Sequence, residues 1–320
     1  MAGFLLFFLS TTFEVDLGDT WGQIKRSNPW YYLFAFLAHY ASFPVRGLRW
    51  RIIISNAKLD AKAGSRLRST VECTYSIFIG WFVSTISWFR LGDPYRAFIL
   101  SKALGGSFSG IFGTIIADRI IDVVSVFLLL LLSGSILVFQ RGLHPSPALL
   151  IIAFILVVTT GIFLVLMKYL GIRLSRMMPT RLAKVYTSLY QGTMGSFRKL
   201  HIIGLLSLII WGAEFGRLVL ILHGLGLSLP ASLILFLVMS GALLSTVPIT
   251  PGGIGIVEVG ITGFLTMELS RDIAVSVVLL DRSISYLSIV IIGGILFLFA
   301  NIMKSFKIAS RQKSRTERFR

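Results

Sequence analysis

The chain has 320 residues, of which 55% are hydrophobic and only 14% charged. A globular protein is about one quarter charged, so this composition excludes a pair of water-coated domains. The net charge of +17, from 31 Lys+Arg against 14 Asp+Glu, then leaves a nucleic-acid binder or a polytopic membrane protein with basic cytoplasmic loops.

Crossing ~30 Å of hydrocarbon takes roughly 20 apolar residues. The apolar run at residues 4–9 is too short to cross and lacks the basic start of a secretory signal, so a start codon assigned too late or a shortened first helix is expected there. Full-length spans are expected over 29–48, 111–139, 148–170, 202–223 and 283–303. Two further apolar stretches, 74–89 and 231–268, are short or interrupted.

Basic residues gather in three places. Arg46, Arg49, Arg51, Lys58, Lys62, Arg66 and Arg68 follow the 29–48 span. Lys168, Arg173, Arg176, Arg181, Lys184, Arg198 and Lys199 lie before the 202–223 span, and seven more form the tail 304–320. The connections near 140–147 and 223–230 share one, Arg141. The positive-inside rule places the three clusters in the cytoplasm and those two connections outside. Nucleic acid is thereby dismissed as a partner. Between 172 and 199, Leu174, Met177, Met178, Leu182, Val185, Tyr186, Leu189 and Tyr190 recur at helical spacing among basic residues. This fits either an amphipathic helix on an anionic leaflet or a plain cytoplasmic connector.

Counting crossings settles the interrupted stretches. The chain is inside at 46–68 and outside at 140, with one span between, so 74–104 enters and leaves on the cytoplasmic side. By the same count, 231–268 dips in from outside. Two hairpins from opposite faces define inverted repeats, with a substrate site where broken helices meet. The fold class expected is therefore all-α: about six transmembrane helices plus two re-entrant hairpins. They form one integral membrane domain over 1–320, with halves at about 1–139 and 148–303 and a basic cytoplasmic tail from 304. A shift of 163 residues supports the repeat, carrying Gly92, Asp118-Arg119 and Ser125 onto Gly255, Asp281-Arg282 and Ser288.

The hairpin tips carry chemistry. Thr250-Pro251-Gly252-Gly253-Ile254-Gly255 cannot stay helical, and a helix restarting near Ile254 could offer free amides to a phosphate; a tight packing kink is the alternative. The matching run, Trp88 to Arg96, brings Arg90, Asp93 and Arg96 to a break. Charges inside a bilayer cost roughly 2.5–3.5 kcal/mol each on insertion scales and so need a partner or a task. Arg96, Arg119 and Arg282 are the expected phosphate contacts, since guanidinium binds phosphate bidentately. Asp93, Asp118, Glu214, Arg217, Glu258 and Asp281 are supporting charges; Glu214 and Arg217 are spaced to pair directly, and Asp118 and Asp281 could instead bridge the two halves. Asp122 is expected at the membrane end. The single Cys73 and the scattered His39, His144, His201 and His223 show no metal-ligand spacing, and no cofactor is expected.

Arg90-Leu91-Gly92-Asp93-x-x-Arg96, Asp118-Arg119, Trp211-x-x-Glu214 and above all Thr250-Pro-Gly-Gly-Ile-Gly-Ile-Val-Glu258 resemble the transmembrane region of lysylphosphatidylglycerol synthases. Arg49-Trp50-Arg51 fits as well, and the resemblance runs from about residue 29 onward. It implies a flippase-like protein of bacterial and archaeal cytoplasmic membranes, moving an anionic phospholipid or lipid-linked glycan between leaflets. Its polar positions fall on Asp93, Arg96, Arg119, Glu214, Glu258 and Arg282. Trp88 stands where that family usually has proline, implying a softer first break. The synthases' aminoacyltransferase domain has no counterpart in these 320 residues, so a transporter and not an enzyme is expected. The alternatives are a membrane partner of a lipid synthase or glycosyltransferase, and a membrane-embedded lipid transferase using Asp93 or Glu258 as base.

Overall fold

A computed structural model describes residues 17–59, 66–141, 147–246 and 250–299. The apolar run at 4–9, Lys62, His144, Pro248-Ile249 and the basic tail lie outside the described residues. So do the side chains of Arg66, Arg68, Trp88, Arg173 and Arg176.

Every regular element among the described residues is helical. A short α1, Leu17–Arg26, precedes α2, Pro29–Asn56. The start of α2 is fixed by Asn28, whose side chain accepts the Trp30 amide, and Pro29 occupies a first-turn position where its missing N–H costs nothing. Next come α3 (Arg66–Ile86), a single 3-10 turn (Trp88–Arg90), α4 (Gly92–Leu104) and α5 (Phe108–Arg141). Two connecting helices follow, α6 (Pro147–Met177) and α7 (Thr180–Gly195). The second half then repeats the first: α8 (Leu200–Gly224), α9 (Ala231–Thr246), a 3-10 turn (Pro251–Gly253) and α10 (Ile256–Leu265). It ends in α11 (Arg271–Phe299), which contains a π-helical turn at Ser283–Leu287.

Four helical stretches are long and apolar enough to cross a membrane: Phe108–Phe139, Ala148–Tyr169, Leu200–Gly224 and Arg271–Phe299. They match four of the five spans expected. The fifth, 29–48, falls in α2, whose 28 residues make roughly 42 Å of helix at about 1.5 Å per residue. Its second half carries Arg46, Arg49 and Arg51, so it is long enough but not uniformly apolar.

The 163-residue shift extends to the backbone. It carries the turn Trp88–Arg90 onto Pro251–Gly253, and the first residue of α5 onto that of α11. Phe89 and Arg90 have φ of 57° and 53°, and their counterparts Gly252 and Gly253 have 61° and 75°. Both halves therefore break by the same left-handed step, although only the second uses glycine, which adopts it without steric cost. The first break is no softer for holding Trp88 in place of proline. It is held against strain of order 1–3 kcal/mol per residue.

Both interrupted stretches fold back as antiparallel helix pairs. In the first, Gly80 of α3 meets Gly92 and Arg96 of α4 so closely that a Cβ on Gly92 would collide with the Gly80 carbonyl. In the second, Gly241 of α9 faces Val257 and Ile261 of α10, and Leu244 sits over Gly260. The two tips touch. Arg90 Nη1 donates to the carbonyls of Ser245 and Thr246 at 3.2 Å each, and Gly252 packs on Thr85 and Tyr286.

The cores interlock. The first-half core of Trp50, Ile53, Ile77, Leu100 and Ile111 takes in Ile289 of α11. That of the second half takes in Ala35 of α2, and Val126 and Leu130 of α5. The 172–199 segment is two pieces: α6 continues to Met177, and α7 follows Pro179. Against α5, α7 crosses so closely that Gly192 lies on the backbone of Gly110, and Gly113 on that of Leu189. Leu182 and Val185, two turns nearer its start, remain exposed.

Candidate functional site

Where the tips meet there is a cavity of about 430 Å³, lined by both halves. That is within the roughly 300–1,000 Å³ range of ligand sites. Its charged wall comprises five arginines (46, 90, 119, 217 and 282) and four acids (Asp93, Asp122, Glu214 and Asp281), with His39 beside them. The rest combines apolar residues, from Val123 and Val126 of α5 to Leu237 and Val238 of α9, with hydroxyls such as those of Ser84, Thr246, Thr250 and Ser285.

All of these charges except Arg90 belong to three closed groups. The first is a ring. Arg49, 1% exposed, bonds Asp118 and Asp122 at 2.8 Å each. Arg96 joins Asp118, at 3.5 Å, to Asp93, at 3.1 Å. Arg119 grips Asp93 with a fork of Nε at 3.0 Å and Nη2 at 2.8 Å, and approaches Asp122 at 3.9 Å. Three arginines thus balance three aspartates. The second group joins the halves through α2 and α8: Glu214 accepts from Arg46 at 3.0 Å, and Arg217 lies 3.2 Å from it. His39 Nδ1 lies 3.4 Å from Glu214 and 3.2 Å from Arg217, whose Nη2 reaches Asp281 at 3.0 Å. The third is Arg282 Nε on Glu258 Oε1 at 3.0 Å; the other oxygen, Oε2, accepts the Gly255 amide at 2.7 Å.

The halves use one plan. In each, the aspartate of the Asp-Arg pair is held by an arginine of the leading helix, Arg49 or Arg217. The arginine of that pair is held by an acid of the broken hairpin, Asp93 or Glu258. Asp118 and Asp281 therefore pair within their own halves, and the bridge between halves is His39, Arg46, Glu214 and Arg217. The direct Glu214–Arg217 pair matches the sequence spacing. The repeated serines also correspond: Ser125 and Ser288 each bond the carbonyl four residues back, of Ile121 and Ile284.

Not every expected contact faces the cavity. Arg119, Arg282, Thr250 and Gly252 line it. Arg96 does not; it is 2% exposed and stacks over Trp50 at 5.0 Å. Asp118, Gly253, Gly255 and Glu258 also lie behind the wall. The amides of Gly253 and Gly255 are already bonded, to the Thr250 carbonyl and the Glu258 carboxylate. Asp122 is on the wall and not at a membrane end.

Sequence reasoning missed four groups. Arg46 and Arg49 counted as topology markers but are buried within a longer α2, against Glu214 and against Asp118 and Asp122 respectively, and no local signal sets them apart from their basic neighbours. His39 looked isolated. Arg90 is the cavity's one cation without a carboxylate partner among the described residues. Five buried polar atoms on the wall also have neither a hydrogen-bond nor an ion-pair partner among the described residues: His39 Nε2, Trp211 Nε1, Arg217 Nε, Thr250 Oγ1 and Arg282 Nη2. Such orphans are rare without a ligand or water to meet them.

Four helices long and apolar enough to span, with a buried charged cavity between the two halves, define a multi-pass integral membrane protein. The chain belongs to the lysylphosphatidylglycerol synthase TM region family, whose profile matches residues 1–293. It is 27% identical to a UPF0104 membrane protein of Pyrococcus horikoshii, over 86% of this chain and 88% of that one. A second UPF0104 membrane protein, from Methanocaldococcus jannaschii, is 28% identical over 70% of this chain and 97% of its own. The chain is also 24% identical to the glycosyltransferase AglD of Haloferax volcanii, over 92% of this chain but only 53% of AglD.

Proposed function

We propose that this protein moves a lipid with a phosphate-bearing head group between the leaflets of the cytoplasmic membrane. The observation that carries this reading is the 430 Å³ cavity at the junction of the broken hairpins, with five arginines and several unpartnered donors on its wall. The phosphate would lie on Arg90, Arg119 and Arg282, while the paired acids hold those guanidiniums in place. Tip-to-tip contact supports hairpins that enter from opposite faces, so that a small rocking of one half could open the cavity to either side. The family's name points to a phospholipid, and that of the glycosyltransferase AglD to a glycan; a phosphate beside hydroxyl groups fits a phospholipid and a lipid-linked glycan alike.

A transferase reading is less well supported. Both oxygens of Asp93 are taken by Arg119 and Arg96, and both of Glu258 by Arg282 and the Gly255 amide. Both acids thus serve as ion-pair partners of arginines, and Glu258 lies behind the cavity wall, away from where a substrate hydroxyl would meet a general base.

The direct test is leaflet exchange of fluorescent phosphatidylglycerol in liposomes. Wild type should accelerate it, and Arg282→Ala and Glu258→Gln should each slow that exchange at least about tenfold, the worth of one charge-assisted hydrogen bond. Equal exchange with and without protein sinks the proposal.

Orientation is tested separately. Cys73 is fully buried, so the unaltered protein should give little background with thiol reagents. The exposed Ser228→Cys should react from outside with an impermeant reagent, and Ser55→Cys only after the cytoplasmic side is opened. The reverse pattern overturns the positive-inside assignment.

A further inference from the structure

A second depression of about 370 Å³ lies between α5 and α6. Ile116, Ile120 and Val123 form one wall, and Thr160 and Phe163 the other. Its geometry follows from packing on either side. Val126, Leu130, Leu149 and Ala153 close α5 against α6 beyond one end. Beyond the other, α7 lies on α5 at Gly110 and Gly113. Between these contacts the two helices stand apart. Apart from Thr159, whose hydroxyl bonds back to its own helix, and Thr160, the groove is apolar up to its only charges, Asp93 and Arg119, and those two residues with Val123 also line the central cavity.

We propose that this groove is an acyl-chain subsite, through which one tail of the lipid stays in the bilayer while its head group occupies the cavity. The inference rests on the lipid reading above and adds where the lipid lies and by which side it arrives. Three observations favour a lipid chain over a helix of a partner or a second copy. The groove belongs to two of the helices apolar enough to span, and α6 is mostly exposed, so hydrocarbon is the medium at its mouth. Its polarity changes once, from aliphatic to a charged pair, as an amphiphile's does. Arg119 is 30% exposed, and its fork holds Asp93 through Nε and Nη2; Nη1 has only Asp122, at 3.9 Å. It can therefore take a phosphate oxygen on Nη1 without releasing Asp93. A polypeptide helix, about 10–12 Å across with its side chains, would rest on the rim and leave that edge unused.

The test uses the full chain in nanodiscs with phosphatidylglycerol carrying a diazirine midway along one acyl chain. After illumination, adducts are mapped by mass spectrometry. The unaltered protein should carry at least about five times more label on Ile116, Thr160 and Phe163 than on Leu205 and Leu208, exposed apolar residues of α8 that report ordinary surrounding lipid. Thr160→Trp, on the exposed helix, should fill the groove, cut that label about tenfold and leave the α8 label unchanged. Where wild type exchanges lipid, the same variant should slow exchange about tenfold. Label spread evenly over the groove and α8 overturns the subsite, as does a filled groove with undiminished exchange. Concentrated label without any leaflet exchange retains the subsite and removes the transport reading; exchange without concentrated label does the opposite. The labelling comparison in the unaltered protein stands even if Thr160→Trp fails to fold.

Discussion

Replacing Arg49 with methionine is expected to destabilise the protein more than any other single change at the site. The guanidinium is 1% exposed and bonds Asp118 and Asp122 at 2.8 Å each, with Ser207 at 2.9 Å. Methionine preserves much of the volume, so packing is not the main loss. What remains is two carboxylates one turn apart on α5, with Arg96 at 3.5 Å from the first and Arg119 at 3.9 Å from the second. Removing one member of a buried ion pair costs about 3–5 kcal/mol because the other stays charged and unpaired. For a chain of this size that is a fall in Tm of roughly 10 °C, read by heating detergent-solubilised protein and following its monodisperse fraction. Adding Asp122→Asn removes one stranded charge and should recover part of the loss, whereas Asp122→Asn alone should cost less. A Tm within about 2 °C of wild type for Arg49→Met would mean that the ring does not hold α2 to α5.

That ring marks where the sequence was legible and where it was not. Hydrophobic runs locate the spanning helices because length and apolarity are local properties. Gly252, Gly253 and Gly255 betray the second break because few other sequences tolerate that backbone. The first break is hidden: Phe89 and Arg90 adopt the same left-handed step without glycine, and only the 163-residue repeat points there. Charge was the least legible level. Arg46 and Arg49 head a run of basic residues that continues through Arg51 and Lys58, and nothing local separates the buried members from the rest. Their burial follows from carboxylates more than 60 residues away in sequence, which only the packing of α2 against α5 and α8 brings near. The same limit applies to Arg96. It sits in a conspicuous motif beside the cavity-lining Asp93, yet its guanidinium stacks over Trp50 behind the wall.

Charge balance also singles out the residue whose loss should be felt most in transport. The ring, the His39–Glu214–Arg217 group with Arg46 and Asp281, and the Arg282–Glu258 pair each carry equal numbers of arginines and acids. Arg90 remains over. Its Nη1 donates to the last carbonyls of α9, where a helix presents its negative end, so the charge is eased but not neutralised. The rest of the guanidinium lies on the cavity wall, at the one place where both hairpin tips meet. An anionic head group arriving there meets a cation whose charge no carboxylate offsets, whereas Arg282 has a free Nη2 but a charge already balanced by Glu258. Arg90→Ala is therefore expected to reduce lipid exchange by about tenfold to a hundredfold, the worth of about 1.5–3 kcal/mol of charge-assisted bonding. Its effect on Tm should be smaller than that of Arg49→Met, because no carboxylate is stranded. Arg90→Lys keeps the charge but loses the planar fork, so it should restore only part of the rate. Measuring exchange and Tm together separates the roles of this residue. Full exchange by Arg90→Ala sinks the phosphate contact. A large fall in Tm, with exchange per folded molecule unchanged, would make Arg90 a latch between the tips and leave the phosphate to Arg119 and Arg282.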